Sequence, residues 1–288
     1  MRLNTSVVIA TRDRCAELLR TLGELSDLDP TPPIIVVDND SRDATADAVA
    51  EEFPDVALVR APRNLGAAAR NIGVQRAATP YVAFSDDDSW WRQGSLARAE
   101  EVFSAHPGVG VIAARTLVGE QERRDPVNDL MARSPLRSPA QLPGPRILGF
   151  TACAAIVRRD AFLSVGGFSR ELFFAAEEKL LACDVAAAGW DLIYVDDIVA
   201  HHHPSTARDD HGRRVLELRN DVLISWMRQA PAAAVTRTAR LLQRALVDPP
   251  SRRAALAVLR RLPTALTHRR QLPAEVRKEM DVLEVHPW

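Results

Sequence analysis

The densest set of chemically competent side chains is Asp86-Asp87-Asp88, which directly follows the apolar run Tyr81-Val82-Ala83-Phe84. Three adjacent carboxylates repel one another unless a cation or hydrogen-bond donors balance them. Oxygen donors of this kind suit Mg²⁺ or Mn²⁺, which also take phosphate oxygens. A cation held there could neutralise charge building on a departing diphosphate. The same residues could equally form a solvated acidic turn or cap the segment near Trp91. Asp38 and Asp40 follow a second apolar run, Ile34 to Val37. There they could accept from ribose hydroxyls or a base N–H, or simply build a turn. Thr11 and Asp13 stand at the matching end of a first apolar run and could close the other side of a base pocket.

Further along, Asn64-Leu65-Gly66 leads into Arg70-Asn71-Ile72-Gly73, where small residues permit close backbone approach. Arg70 could bind phosphate, brace the acidic run, or form a structural bridge to an Asp. Glu177-Glu178 opens a helix. A crowded carboxylate pair can raise one pKa and leave a general base, although acids also favour the first helical turn for its dipole. His201-His202-His203 ends a strand-like run. At a period of two, His201 and His203 face one way and His202 the other. One imidazole could complete a metal shell with a carboxylate. Arg213, Arg214 and Arg219 could pair with phosphates or lie on the surface. No P-loop and no G-x-G-x-x-G occurs, which weakens nicotinamide and ATP readings.

The elements that must position these residues are legible by periodicity. Strand-like runs at 5–10, 34–37, 56–60 and 81–84 alternate with helical patterns at 14–28, 43–53 and 64–77. This order predicts an α/β fold with a mainly parallel sheet flanked by helices. Ligands of such sheets sit beyond the carboxyl ends of the strands, where the acidic sets fall. A helix over 96–105 and a strand over 109–113 follow. The proline-rich stretch 118–149 reads as a long excursion, a lid over the site. Beyond it, 151–158 reads as a strand, and 160–165 and 177–188 as helices. Strand-like runs at 192–195 and 198–203 complete this part. From 213 onward the pattern is helical, with breaks expected at Pro231, Pro249-Pro250, Pro263 and Pro273. The expected division is a catalytic domain over 1–212, split into nucleotide-binding (1–115) and acceptor-binding (116–212) halves, and a helical extension over 213–288.

With 288 residues, 47% of them apolar, the chain can bury a large core. Its three scattered cysteines lack metal-site spacing and fit a reducing, cytoplasmic setting. The net charge of -1 hides an asymmetry, since 213–288 carries 15 Arg and Lys against 7 Asp and Glu. The acidic front excludes a whole-surface nucleic-acid binder. The basic tail could contact the periphery of an anionic membrane or an anionic acceptor, or be solvated. No window is long and apolar enough to span a bilayer.

Taken together, the segments Val7 to Arg14, Val36 to Ser41, Asn64 to Gly73 and Phe84 to Asp88 resemble family 2 inverting glycosyltransferases of the GT-A, Rossmann-like fold. Gly149 to Phe168, Phe173 to Glu178, Gly189-Trp190, His201 to Ser205 and Arg219-Asn220 extend the likeness. The resemblance implies that Thr11, Asp13 and Asp38 line the nucleobase and ribose pocket, with Asp40 and Asn64 beside it and Arg70 supporting it. It implies that Asp86 and Asp87 lie near the donor, that Asp88 binds Mg²⁺ or Mn²⁺ with Asp86 secondary, and that His201 or His203 is a further ligand. Glu178, or Glu177, would be the base. The reaction implied moves a sugar from a nucleoside-diphosphate sugar to a hydroxyl of a polysaccharide, lipid-linked glycan or small natural product. The family often has an Asp two residues after its acidic pair, where this chain has Leu180. A sugar nucleotidyltransferase is the first rival, but Thr11-Arg12-Asp13-Arg14-Cys15 lacks its glycine-rich loop. The second is a non-catalytic nucleotide-sugar-binding protein, which would leave the carboxylates without a task.

Overall fold

The computed structural model describes residues 2–204 and 210–285. The first half alternates as the periodicity requires: β1 (Thr5–Thr11), α1 (Cys15–Ser26), β2 (Ile34–Asp38), α2 (Thr45–Glu52), β3 (Ala57–Arg60), α3 (Ala69–Arg76) and β4 (Tyr81–Ser85). These strands are parallel and lie in the order β3-β2-β1-β4. Val7 and Ile9 of β1 enter one core layer and Val8 the other, so the sheet is buried on both faces. Helix α1 turns Leu18, Leu22 and Leu25 inward at helical spacing.

The second half departs from a parallel pattern. It comprises β5 (Ser89–Trp91), α4 (Ser95–Ala105), β6 (Val109–Val118), β7 (Arg123–Arg124), α5 (Pro126–Ala132), β8 (Ala155–Arg158), α6 (Arg159–Ser164), α7 (Glu177–Ala187) and β9 (Asp191–His202). Strand β8 inserts antiparallel between β4 and β6, β9 runs parallel to β6, and β5 closes antiparallel on β9. The sheet is therefore parallel from β3 to β4 and mixed beyond it.

Three expectations change. The runs at 192–195 and 198–203 belong to one strand, β9, because a bulge opposite Ala114 and Arg115 absorbs the three residues Asp196, Asp197 and Ile198. Asp196 pairs there with Arg115 and Arg124. The 118–149 stretch is not a free lid. Asn128, fully buried in α5, exchanges hydrogen bonds with the Thr116 backbone at 2.9 and 2.8 Å. Further on, Ile147 N–H and Tyr194 N–H tie residues 145–147 to β9. Last, Pro263 lies within a continuous helix, on which Val258 and Ala265 stay buried.

After β9 the chain is helical: α8 (Asp210–Arg228), α9 (Pro231–Ala245), α10 (Pro249–Thr267) and α11 (Ala274–Val285). Helices α8, α9 and α10 share a core with Leu172 and Leu180, so they brace the loop before α7 and the helix itself. No helix among the described residues is long and apolar enough to cross a membrane.

Candidate active site

The acidic run lies at the carboxyl end of β4, in the turn to β5. The turn is fixed by its own backbone: Asp86 N–H donates to Ser89 Oγ at 2.7 Å, and His203 N–H donates to the Asp88 carbonyl at 2.8 Å. Thr11, at the end of β1, donates to Asp87 Oδ2 at 3.0 Å. Arg14 reaches both Asp87 and Asp88 at 3.4 Å. Burial, then the charge of Asp86, pushes the Asp87 carboxyl up to about 7 against the pull of Arg14. The site is thus crowded with negative charge that protein cations only partly balance.

Arg70 joins this run to the second acidic set. Its guanidinium is buried, stacks over Phe168 and pairs with Asp86. Burial alone would lower its pKa, yet Asp86, Glu177 and Glu178 together raise it. Glu177 is 2% exposed, and its Oε2 has no hydrogen-bond partner. Burial, then the charge of Glu178, pushes Glu177 up to about 8, with Arg70 opposing. Burial likewise raises Glu178, which is the more exposed of the two.

The approach to this pair is strained. Phe173, Ala175 and Ala176 hold φ of 64°, 69° and 61°, a left-handed region that costs non-glycine residues energy. The loop is held by its carbonyls. Phe173 O accepts from Ala67 N–H at 2.7 Å, and Gly66 is required beside it, since a Cβ there would lie 2.0 Å from that oxygen. From α8, buried Asn220 donates to the carbonyls of Leu172, Phe174 and Ala175, and Arg219 donates to Leu172.

The residues expected to receive a nucleotide lie at the ends of β1 and β2. Thr11 and Asp38 pair across the two strands. Asp38 Oδ1 accepts from Ser41 N–H at 3.1 Å, and Asp13 Oδ1 accepts from Arg42 N–H at 2.7 Å, which knits the two loops together. Asp13 and Asp40 both have positive φ. Asn64 bonds Asn39 and the Gly66 N–H, so it shapes the loop entering α3.

The histidines separate by face. His201 stacks on Trp90 and His203 packs tilted against it, with centroids 5.8 and 4.6 Å away, and burial keeps both rings below the ordinary histidine range. His202 instead brings Nε2 to 3.4 Å from Asp88 Oδ1. The ring beside the acidic run is therefore His202, and not His201 or His203. No group of three or more His, Cys, Asp or Glu side chains is poised for a metal among the described residues.

A cleft of about 640 Å³ lies over these groups, lined by Arg14, Arg70, Asp86 to Asp88 and, from α8, Arg213 and Leu216. Arg214 turns away toward Asp248. His202, Arg14 and Asn220 are neighbours to which the sequence assigned no role of their own, although the histidine run and the family likeness contain them.

The site thus combines a parallel sheet edge, a strand-end carboxylate run and a second acidic pair joined to it by one arginine. Residues 6–166 match the model of Glycosyl transferase family 2, and the chain belongs to that family. It is 31% identical over 214 residues to the pre-mycofactocin glycosyltransferase of Mycobacterium tuberculosis, over 72% of this chain and 44% of that protein. The chain thus spans less than half the length of that relative. It is 28% identical over 238 residues to the N-acetylglucosaminyl-diphospho-decaprenol L-rhamnosyltransferase of the same organism, covering 70% of this chain and 78% of the relative. A mannosyltransferase from Pyrobaculum calidifontis, solved with GDP-Man and Mn²⁺, shares the fold with a TM-score of 0.61 and 21% identity. That likeness covers 100% of this chain and 77% of the other.

Proposed function

We propose that this chain is a metal-dependent inverting glycosyltransferase that moves a sugar from a nucleoside-diphosphate sugar to an acceptor hydroxyl. The observation that carries the reading is Arg70, buried between Asp86 and the pair Glu177-Glu178. It ties a diphosphate-facing acid set to a candidate base. Asp88 and His202 offer a carboxylate and an imidazole side by side, a donor set that suits Mg²⁺ or Mn²⁺ when diphosphate oxygens complete the shell. A cation so held would stabilise the leaving nucleoside diphosphate.

The chain's own residues supply the rest. Thr11, Asp13, Asp38 and Asp40 receive the nucleoside. Arg213 faces the cleft, where it can meet phosphate oxygens. Glu178, more exposed than Glu177, takes the proton from the acceptor hydroxyl. That oxygen attacks the anomeric carbon opposite the diphosphate, the bond to the diphosphate breaks, and the configuration inverts. Glu177, the more buried of the two, is itself pushed up by burial and by the charge of Glu178, which leaves it protonated beside the base.

By their names, the relatives glycosylate pre-mycofactocin and N-acetylglucosaminyl-diphospho-decaprenol. A second cavity of about 540 Å³, lined by Met131, Phe150, Cys183, Met280 and Lys179, the residue after Glu178, supports an acceptor with an apolar portion. A cytoplasmic setting at the membrane periphery belongs to this reading. Its test is thermal shift with UDP, GDP and TDP, with and without Mn²⁺, followed by donor hydrolysis over a panel of nucleotide sugars. Metal-dependent stabilisation by one diphosphate and hydrolysis of its sugars is expected. No response to any of them would overturn the reading.

A further inference from the structure

Ten large apolar side chains are exposed among the described residues, and seven of them fall on α9, α10 and the turn between these helices. The turn is the extreme case, with Leu246 77% and Val247 85% exposed. Val235 and Leu242 of α9 and Leu246 just after its end recur at seven- and four-residue spacing and form one stripe, while Ala234 and Leu241 face the core. On α10, Leu256, Leu259 and Leu266 share the outer face, opposite buried Ala254, Val258 and Ala265. Core packing with α8 accounts for the inner faces and leaves these leucines unused.

The charge on the same segment is one-sided. Residues 231–267 contain seven arginines and a single acid, Asp248. All of the arginines except Arg237 are exposed. Arg252, Arg253 and Arg260 share the outer side of α10 with the exposed leucines. Arginine can lay its stem along an apolar surface while its head reaches an anionic layer. A protein partner with an apolar patch would match the leucines but not the surrounding cations. An anionic bilayer matches both, because apolar side chains enter the acyl boundary while cations meet phosphates.

We propose that the outer face of α9 and α10, led by Leu246 and Val247, docks this chain on anionic phospholipid bilayers. The contact is peripheral and reversible. It names the surface for the membrane setting suggested above, but its evidence is independent of the transfer reaction. Helix α8 links the two regions, since it lends Arg213 to the cleft and packs on α9 and α10.

The test is co-sedimentation of the full chain with vesicles of phosphatidylcholine alone and of phosphatidylcholine with phosphatidylglycerol, at low and high salt. Binding to the anionic vesicles that weakens with salt is expected. The double variant Leu246→Asp, Val247→Asp should bind about tenfold more weakly or worse. The triple variant Arg252→Gln, Arg253→Gln, Arg260→Gln should lose the preference for phosphatidylglycerol. All these positions are exposed, and unchanged circular dichroism would show that the variants fold. Failure of the wild-type chain to bind anionic vesicles, or equal binding by the double variant, would overturn the proposal. So would concentration-dependent self-association abolished by the double variant, which would assign the face to a second copy. Vesicle binding requires no turnover, so a failed transfer assay and a failed docking surface give separate signals.

Discussion

The side-chain amide of Asn220 donates to the carbonyl oxygen of Phe174 at 2.9 Å, across 46 residues of sequence. The same amide reaches the carbonyls of Leu172 and Ala175. Three of the four residues from Phe173 to Ala176 have positive φ, so the loop would relax if these carbonyls were released. Asn220→Ala should destabilise the protein by about 2 kcal/mol, the cost of leaving buried acceptors unpaired. Because the loop delivers Glu177 and Glu178, kcat should fall more than the affinity for the nucleotide. Denaturant melts alongside steady-state kinetics check both. A variant with lower stability and an unchanged kcat would restrict Asn220 to a structural role.

Metal-assisted binding should depend on one histidine of the three. His202→Ala and Asp88→Ala should each remove the Mn²⁺-dependent part of the diphosphate thermal shift. His201→Ala should leave it within about a degree of wild type, since its ring stacks on Trp90 and faces Glu122 rather than the acidic run. Loss of the shift in His201→Ala but not in His202→Ala would reverse the assignment.

Glu178→Gln should lower transfer by a factor of about 10² to 10⁴, the usual range for a general base. Nucleotide affinity should hardly change. Glu177→Gln, in contrast, replaces a carboxyl that is already protonated below about pH 8 and should retain more transfer. Transfer near the wild-type rate in Glu178→Gln would exclude it as the base.

Apo-protein stability should fall as pH rises from about 4.5 to about 8. In this window folded Glu177 keeps its proton, while an unfolded glutamate has lost its own. The folded state then binds more protons, so the slope of stability against pH is negative. Asp87, raised to about 7, acts in the same direction. Glu177→Gln should flatten the slope measured by chemical denaturation at a series of pH values. An unchanged slope would mean that Glu177 titrates normally.

The sequence and the structure agree best where local chemistry decides. Strands β1 to β4 and their helices follow from alternating apolar runs and polar turns. The acidic run follows from its place after a buried strand. What was not legible depends on distant pairing. Ser89 to Trp91 is too short to show a period, yet it becomes a strand because β9 passes beside it. Residues 118–149 have no pattern of their own, yet Asn128 and Ile147 fasten them to the sheet. Nothing local in Arg219-Asn220 reveals a loop lying 45 residues or more upstream.

The bulge in β9 also governs parity. Before it, Ile193 and Val195 enter one core layer, and after it Ile198 and Ala200 enter that same layer, so odd numbers give way to even. An odd number of inserted residues shifts the strand's phase by half a period. Which member of the histidine run meets Asp88 is therefore decided several residues upstream, at Asp196-Asp197. Along a lineage, gain or loss of one residue in that bend could exchange His202 for a neighbour with no histidine mutated. A run of three identical rings would buffer the site against such a frameshift of the fold.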